Sequence, residues 1–242
     1  MSLRIDRIAL CLPMLALLLA FSTLPAQDDD KRGKVSGGYG YFSAGIIDLE
    51  TAPLNASLTG NGYGEASSTQ ITLGGAGFLI VRNFIIGGEG HGVVSQEMNS
   101  SAQNATLEGG WGQFNLGYVL LSGKGILLYP KVGIGGYNHR LVIQNAQNLP
   151  SVNDVFAEGN YSGTELIRNG LLVSGALGFQ FMPGFDDSSG SGLSIGLEVG
   201  YNYAANEGAW EAYGTPLTGG PSLNMTGIFA RLNIGFSGWH RQ

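Results

Sequence analysis

The chain has 242 residues, with 12 Lys and Arg against 18 Asp and Glu, a formal net charge of -6, and only 12% charged residues. Ordinary soluble domains carry roughly 25% charged residues, and an acidic chain without a basic stripe excludes a nucleic-acid partner. One cysteine, Cys11, and three histidines leave little material for disulfide, thiolate or metal chemistry.

Residues 1–26 read as a secretory signal. Arg4 and Arg7 give a basic start, Ile8 to Phe21 is almost wholly apolar, and Leu24-Pro25-Ala26 precedes Gln27. The apolar run falls short of the ~20 residues of a membrane-spanning helix. Leu24 is bulkier than the small residue usual two places before a cleavage point. Cys11 lies inside the run, so no lipid anchor is expected and the mature chain would have no cysteine. Residues 27–33 would then form a short periplasmic segment and 34–239 the folded body. No later segment approaches the length of an apolar spanning helix.

After the signal, eight segments read as strands: 34–47, 68–81, 84–96, 106–121, 126–143, 169–183, 193–205 and 223–238. The seventh is the clearest. Leu193, Ile195, Leu197, Val199, Tyr201 and Tyr203 alternate with Ser194, Gly196, Glu198, Gly200 and Asn202, and a period of two gives a strand with two unlike faces. The sixth sets Leu171, Val173, Leu177, Phe179 and Phe181 against Leu172, Ser174, Ala176, Gly178 and Gln180. The fourth sets Phe114, Leu116, Tyr118 and Leu120 against Trp111, Gln113, Asn115 and Gly117. The eighth sets Ile228, Ala230, Leu232, Ile234 and Phe236 against Phe229, Arg231, Asn233 and Gly235. Glycine obscures the parity of the first two strands.

A soluble all-β domain needs charged side chains on its wet faces. Here the polar faces carry Gly, Ser, Asn and Gln instead, and aromatic residues gather near strand ends, as at membrane interfaces. The links between strands alternate in length, the first, third, fifth and seventh being long. The short second, fourth and sixth links, such as Arg82-Asn83 and Ser122-Gly-Lys-Gly125, are built of turn residues. Together these features predict an all-β fold, an eight-stranded antiparallel transmembrane up-and-down β-barrel with long loops outside the cell and both ends on the periplasmic side.

Over residues 34–239 the chain resembles the small OmpA-type and OmpX-type barrels of the porin-like outer-membrane β-barrel family. Such barrels end on a strand whose last residue is aromatic; Ile234-Gly-Phe-Ser-Gly-Trp239 is similar, although His240-Arg241-Gln242 follow it. The resemblance implies a bacterial outer-membrane location. No peptidoglycan-binding domain is expected after the barrel.

Four ionisable residues fall on small-polar strand faces: Glu89, Lys131, Glu198 and Arg231. Counted from the periplasmic strand ends, they reach similar depths, which predicts a lumenal charge network that neutralises itself through charge-assisted hydrogen bonds. A basic residue facing lipid at the midplane would cost about 2–4 kcal/mol. An eight-stranded barrel is just wide enough for side chains to fill it. His91, two residues after Glu89, could in principle join it in acid–base or metal chemistry, and His139 lies near the outer end of the fifth strand. Neither supplies the spacing of a serine-hydrolase triad, so no catalytic residues, metal or cofactor are expected. The outer loops lean acidic, with Asp48, Glu50, Glu65, Glu97, Glu108, Asp154, Glu158, Glu165, Glu207 and Glu211 facing Arg140 and Arg168.

The expected function is therefore a Gram-negative outer-membrane barrel with a largely filled lumen and mobile extracellular loops, in a structural or surface-interaction role. Its expected partners are outer-membrane lipid, lipopolysaccharide and an extracellular ligand of the loops, with the protein as a monomer. Two other readings compete: a narrow ion or small-solute channel, and a soluble exported lipocalin-like barrel that turns Leu193 to Tyr203 inward onto an apolar ligand.

Overall fold

The computed structural model describes residues 34–100, 103–145, 163–183 and 190–241. The signal segment 1–26 and residues 27–33 lie outside these, as do the fifth link (146–162) and most of the sixth (184–189).

Eight long strands form the body: β1 (Val35–Leu49), β2 (Thr69–Val81), β3 (Phe84–Asn99), β4 (Gln103–Tyr118), β5 (Ile126–Asn145), β6 (Gly163–Phe181), β7 (Ser191–Ala204) and β8 (Gly227–Arg241). Each pairs antiparallel with its neighbours in sequence, and β8 pairs with β1, so the sheet closes into an up-and-down barrel. The register fixes its geometry. From Gly37 the paired residues run through Ile80, Ile85, Gly117, Lys131, Ala176, Gly200 and Phe229 back to β1 at Ile47, ten residues further along. A stagger of ten over eight strands tilts them by roughly 40° from the barrel axis.

The closed sheet has an apolar outside. Leu193, Ile195, Leu197 and Val199 of β7 are exposed, while Ser194, Glu198 and Asn202 are buried. The same parity holds in β4, β6 and β8, where Phe114, Leu177 and Ile234 face out and Asn115, Ser174 and Asn233 face in. The lipocalin-like alternative is overturned here: it needs Leu193 to Tyr203 inside and the strand charges in water, and the structure has both reversed. Phe84, Tyr118, Phe181 and Phe236 are exposed near the turn end, the first two ring to ring at 5.2 Å.

The glycine-rich strands β1 and β2 also resolve into two faces. Tyr39, Tyr41 and Ile47 point inward and Phe42 outward; Phe78 and Ile80 are inside, Leu73 and Leu79 outside. Many of the glycines lie on the outer face in register across neighbouring strands, as in the rows Gly40–Gly77–Gly88 and Gly75–Gly90–Gly112–Gly136. Part of the outer wall between β1 and β5 is therefore bare backbone.

At the turn end, Arg82-Asn83 and Lys124-Gly125 adopt left-handed φ values of 49°, 73°, 47° and 77°, the pattern of tight turns that follow strand twist. Asn83 binds two neighbours: its N–H donates to Val35 O (2.9 Å), its side chain accepts from Val35 N–H (2.7 Å) and its carbonyl from Val119 N–H (2.8 Å).

The loop end departs from expectation at the first and third links, and in β6, which begins at Gly163 rather than at 169. The third link is short, because β3 and β4 continue to Asn99 and Gln103 and Ser100 N–H bonds Gln103 O at 2.8 Å. The first link carries a helix, α1 (Ala52–Gly60), with Pro53 in its first turn and Leu54 and Leu58 buried on one side. The outer ends of β3 to β6 rise beyond those of the other four strands, since β7 stops at Ala204 opposite Leu172 and β2 joins β3 only from Thr72. The inner face of this four-stranded wall packs α1 and the 205–226 segment around Leu54, Leu58, Leu107, Leu141, Trp210 and Leu223.

Candidate functional site

The barrel interior is filled in layers. Next to the turn end lies an apolar layer that includes Tyr39, Phe78, Ile85, Leu127, Tyr129, Met182 and Trp239. Toward the loop end lies another, with Ile47, Trp111, Tyr137, Leu172 and Phe229. Between them the register sets inward positions of β3, β5, β7 and β8 at one depth, and these positions are Glu89, Lys131, Glu198 and Arg231.

The four side chains form a closed ring in which acid and base alternate. Lys131 Nζ bonds a Glu89 carboxylate oxygen and lies 2.9 Å from Glu198 Oε2. Arg231 Nη1 lies 3.2 Å from Glu89 Oε1 and 3.3 Å from Glu198 Oε1. All four side chains are 1% exposed or less. Two acids and two bases sum to zero, so the desolvation that makes a lone buried charge untenable is offset by mutual attraction and hydrogen bonds.

A second set of groups holds the ring in place. Gln113 donates to Glu89 Oε1, and the Tyr41 hydroxyl to Glu198 Oε2 at 3.5 Å. The Arg231 guanidinium lies 3.8 Å from the Phe229 ring centroid and Lys131 Nζ 4.9 Å from that of Phe78, both within cation–π range. Arg231 Nη1 also lies 2.8 Å from His91 Nε2. A guanidinium can only donate, so Nε2 accepts, the ring is neutral, and Nδ1–H donates to Ser43 Oγ at 3.2 Å. With Nε2 facing Arg231 and Nδ1 facing Ser43, the buried His91 braces the Arg231 guanidinium.

Outside the apolar band the chemistry changes. On β5 the outward apolar run ends at Ile134, and Asn138 and Arg140 follow on the same face. Arg140 bridges three strands, with Nε 2.8 Å from Glu165 Oε1 and Nη1 3.1 Å from Glu108 Oε2. Hydrogen bonds from Arg140 hold the Glu165 carboxyl below its usual range. Asp154 and Glu158 lie outside the described residues.

Inside the cap, Arg168 is not a free rim cation. Its Nε donates to Gly208 O and Nη1 to Pro221 O, both at 2.9 Å, and Nη2 pairs with Glu207 at 2.9 Å. Glu207 also accepts from Ser222 and Asn224. Next to Arg168 in register is His139, fully buried and edge-on to Tyr137 at 5.7 Å. Burial pushes its pKa down to about 4; nearby backbone at Asn224 and Glu108 opposes the shift and Arg168 adds to it.

Face parity thus points to the ring's four charged members. Tyr41, Ser43, His91 and Gln113 are missed as its supports, because what joins them is the stagger between strands, which a single strand does not record. The inward parity of Arg168 with Leu172 was a readable sign that it belongs to the interior.

No protein-family model matches the sequence, and no curated protein matches it. Among solved structures, the chain is similar to Neisserial surface protein A (NspA), at 9% identity and a TM-score of 0.43 over 84% of this chain and 97% of that one. It is similar to Ail, the attachment invasion locus protein of Yersinia pestis, solved with the heparin analogue sucrose octasulfate, at 10% identity and 0.40 over 86% and 99%. It is also similar to the outer membrane protease OmpT from Escherichia coli, at 11% identity and 0.31 over 86% and 95%. The barrel architecture stands on its own strand register, independently of these likenesses.

Proposed function

We propose that the chain is an outer-membrane protein of a Gram-negative bacterium, a closed barrel that does not conduct and that presents its folded outer cap for surface interaction. The observation that carries this reading is an inside-out distribution of polarity: an apolar exterior around a ring of four charges that water does not reach. A monomer in water rarely exposes contiguous apolar patches beyond a few hundred Å², whereas a closed barrel leaves no unpaired edge in hydrocarbon. Residues 1–26 would direct export and be cleaved. The exterior would meet membrane lipid and lipopolysaccharide, and the cap an extracellular ligand, with the barrel working as a monomer. The buried ring serves structure, holding four strands at one stagger. Nothing in it has the solvent access that catalysis requires.

Two measurements test this. Unboiled protein from outer-membrane fractions should migrate differently from boiled protein in detergent gels; recovery as a soluble periplasmic monomer would sink the membrane reading. In planar bilayers the protein should give no conductance steps. Discrete steps abolished by substitutions in the ring would replace the closed barrel with the channel.

A further inference from the structure

We propose that His139 is an acid trigger for the outer cap, and that its protonation beside Arg168 releases the 205–226 segment from the barrel mouth.

The geometry offers a protonated His139 no acid to offset its charge, only nearby backbone at Asn224 and Glu108. The residue is fully buried and neither ring nitrogen has a hydrogen-bond partner among the described residues. Each packed element can be checked for a compensating acid. On β4 the register partner is Gly109, and Glu108 turns outward to Arg140. On β5 the adjoining inward group is the neutral Tyr137. On β6 the partner is Arg168, a like charge. Helix α1 has no titratable side chain. In the 205–226 segment the facing acid is Glu207, which Arg168, Ser222 and Asn224 already occupy.

The same Arg168 anchors the cap. All three of its guanidinium nitrogens bond the 205–226 segment, and the group lies 5.6 Å from the Trp210 ring. A second cation next to it is relieved by admitting water, and lifting that segment admits it.

The sign follows from linkage. Folding holds the histidine below its ordinary 6.5, down to about 4, so the closed cap is fully favoured above pH 6.5 and weakens as pH falls. Between these values the closed-to-open ratio should drop about tenfold per pH unit.

The test uses the full barrel in lipid vesicles with a nitroxide on Thr218→Cys, an exposed position of the segment. The label should be immobile at pH 7 and become mobile, reversibly, between pH 6.5 and 4, and His139→Phe should keep it immobile over that range. A mobility change that persists in His139→Phe, or a native label that stays immobile to pH 4, would overturn the proposal. Should His139→Phe fail to fold, histidine ring NMR on the native protein decides. The His139 resonance should titrate together with the label; titration near 6.5 with no label movement refutes the trigger. Glu207→Gln separates the rival acid, because a transition that vanishes there but survives in His139→Phe assigns the switch to Glu207. None of these readouts depends on whether the barrel conducts.

Discussion

The ring of Glu89, Lys131, Glu198 and Arg231 behaves as a unit, since each member touches two of opposite sign. Removing one partner of such a set leaves an uncompensated buried charge and costs about 3–5 kcal/mol. Arg231→Met should therefore lower the urea midpoint of refolded protein sharply. Arg231→Met with Glu198→Leu, which leaves the Lys131–Glu89 pair balanced, should recover most of the loss; an additive pair of losses would show that the ring is not one network. The lumenal glycines are a second residue-scale test. A methyl at Gly178 would overlap the Tyr129 ring, whereas a methyl at the outward Gly90 meets nothing closer than 3.8 Å. Gly178→Ala should cost about 1–3 kcal/mol and Gly90→Ala close to nothing, read by the same unfolding assay. The charged residues were legible in the sequence because each sits mid-strand on a face that cannot meet lipid. Their mutual neutralisation was legible too, but not which acid meets which base, because Glu89 reaches Arg231 across the seam where β8 meets β1.

The strands themselves were written in alternation wherever large apolar residues mark one face, as in Leu193 to Tyr203. Alternation failed in β1 and β2, where glycine removes the contrast, and there the inward Tyr39, Tyr41 and Phe78 emerged only with the fold. It also understated β3 and β4, whose outer ends, Glu97 to Asn99 and Gln103 to Ala105, are polar enough to read as loop; cross-strand pairing holds them in the sheet. Helix α1 had a usable signal in Pro53 and the Leu54/Leu58 spacing, but nine residues, five of them Ala, Ser, Asn or Thr, would be marginal alone, and packing with Trp210 makes the helix. Face assignment has a direct test in β7. Leu197→Arg should destabilise the membrane-inserted barrel by about 2–4 kcal/mol, while in a water-facing strand the same change would be tolerated. Equal stability of variant and parent in lipid vesicles would refute the outward assignment.

At the scale of the molecule, a stagger of ten brings the charged ring to the middle of the apolar band and caps it on either side with apolar layers. Closure is thus distributed over three levels of the interior, so no single truncation is expected to open a conductive path. Phe229→Ala or Tyr129→Ala should lower stability by about 3–5 kcal/mol without producing conductance steps in planar bilayers. The taller wall of β3 to β6 has a consequence of a different kind. It makes the exposed part of the protein directional about the membrane normal. An approaching surface meets a sheet bearing Glu108, Arg140 and Glu165 from one bearing, and helix α1 from the other. How the barrel is rotated among its neighbours in a crowded bilayer would then decide which encounters are productive.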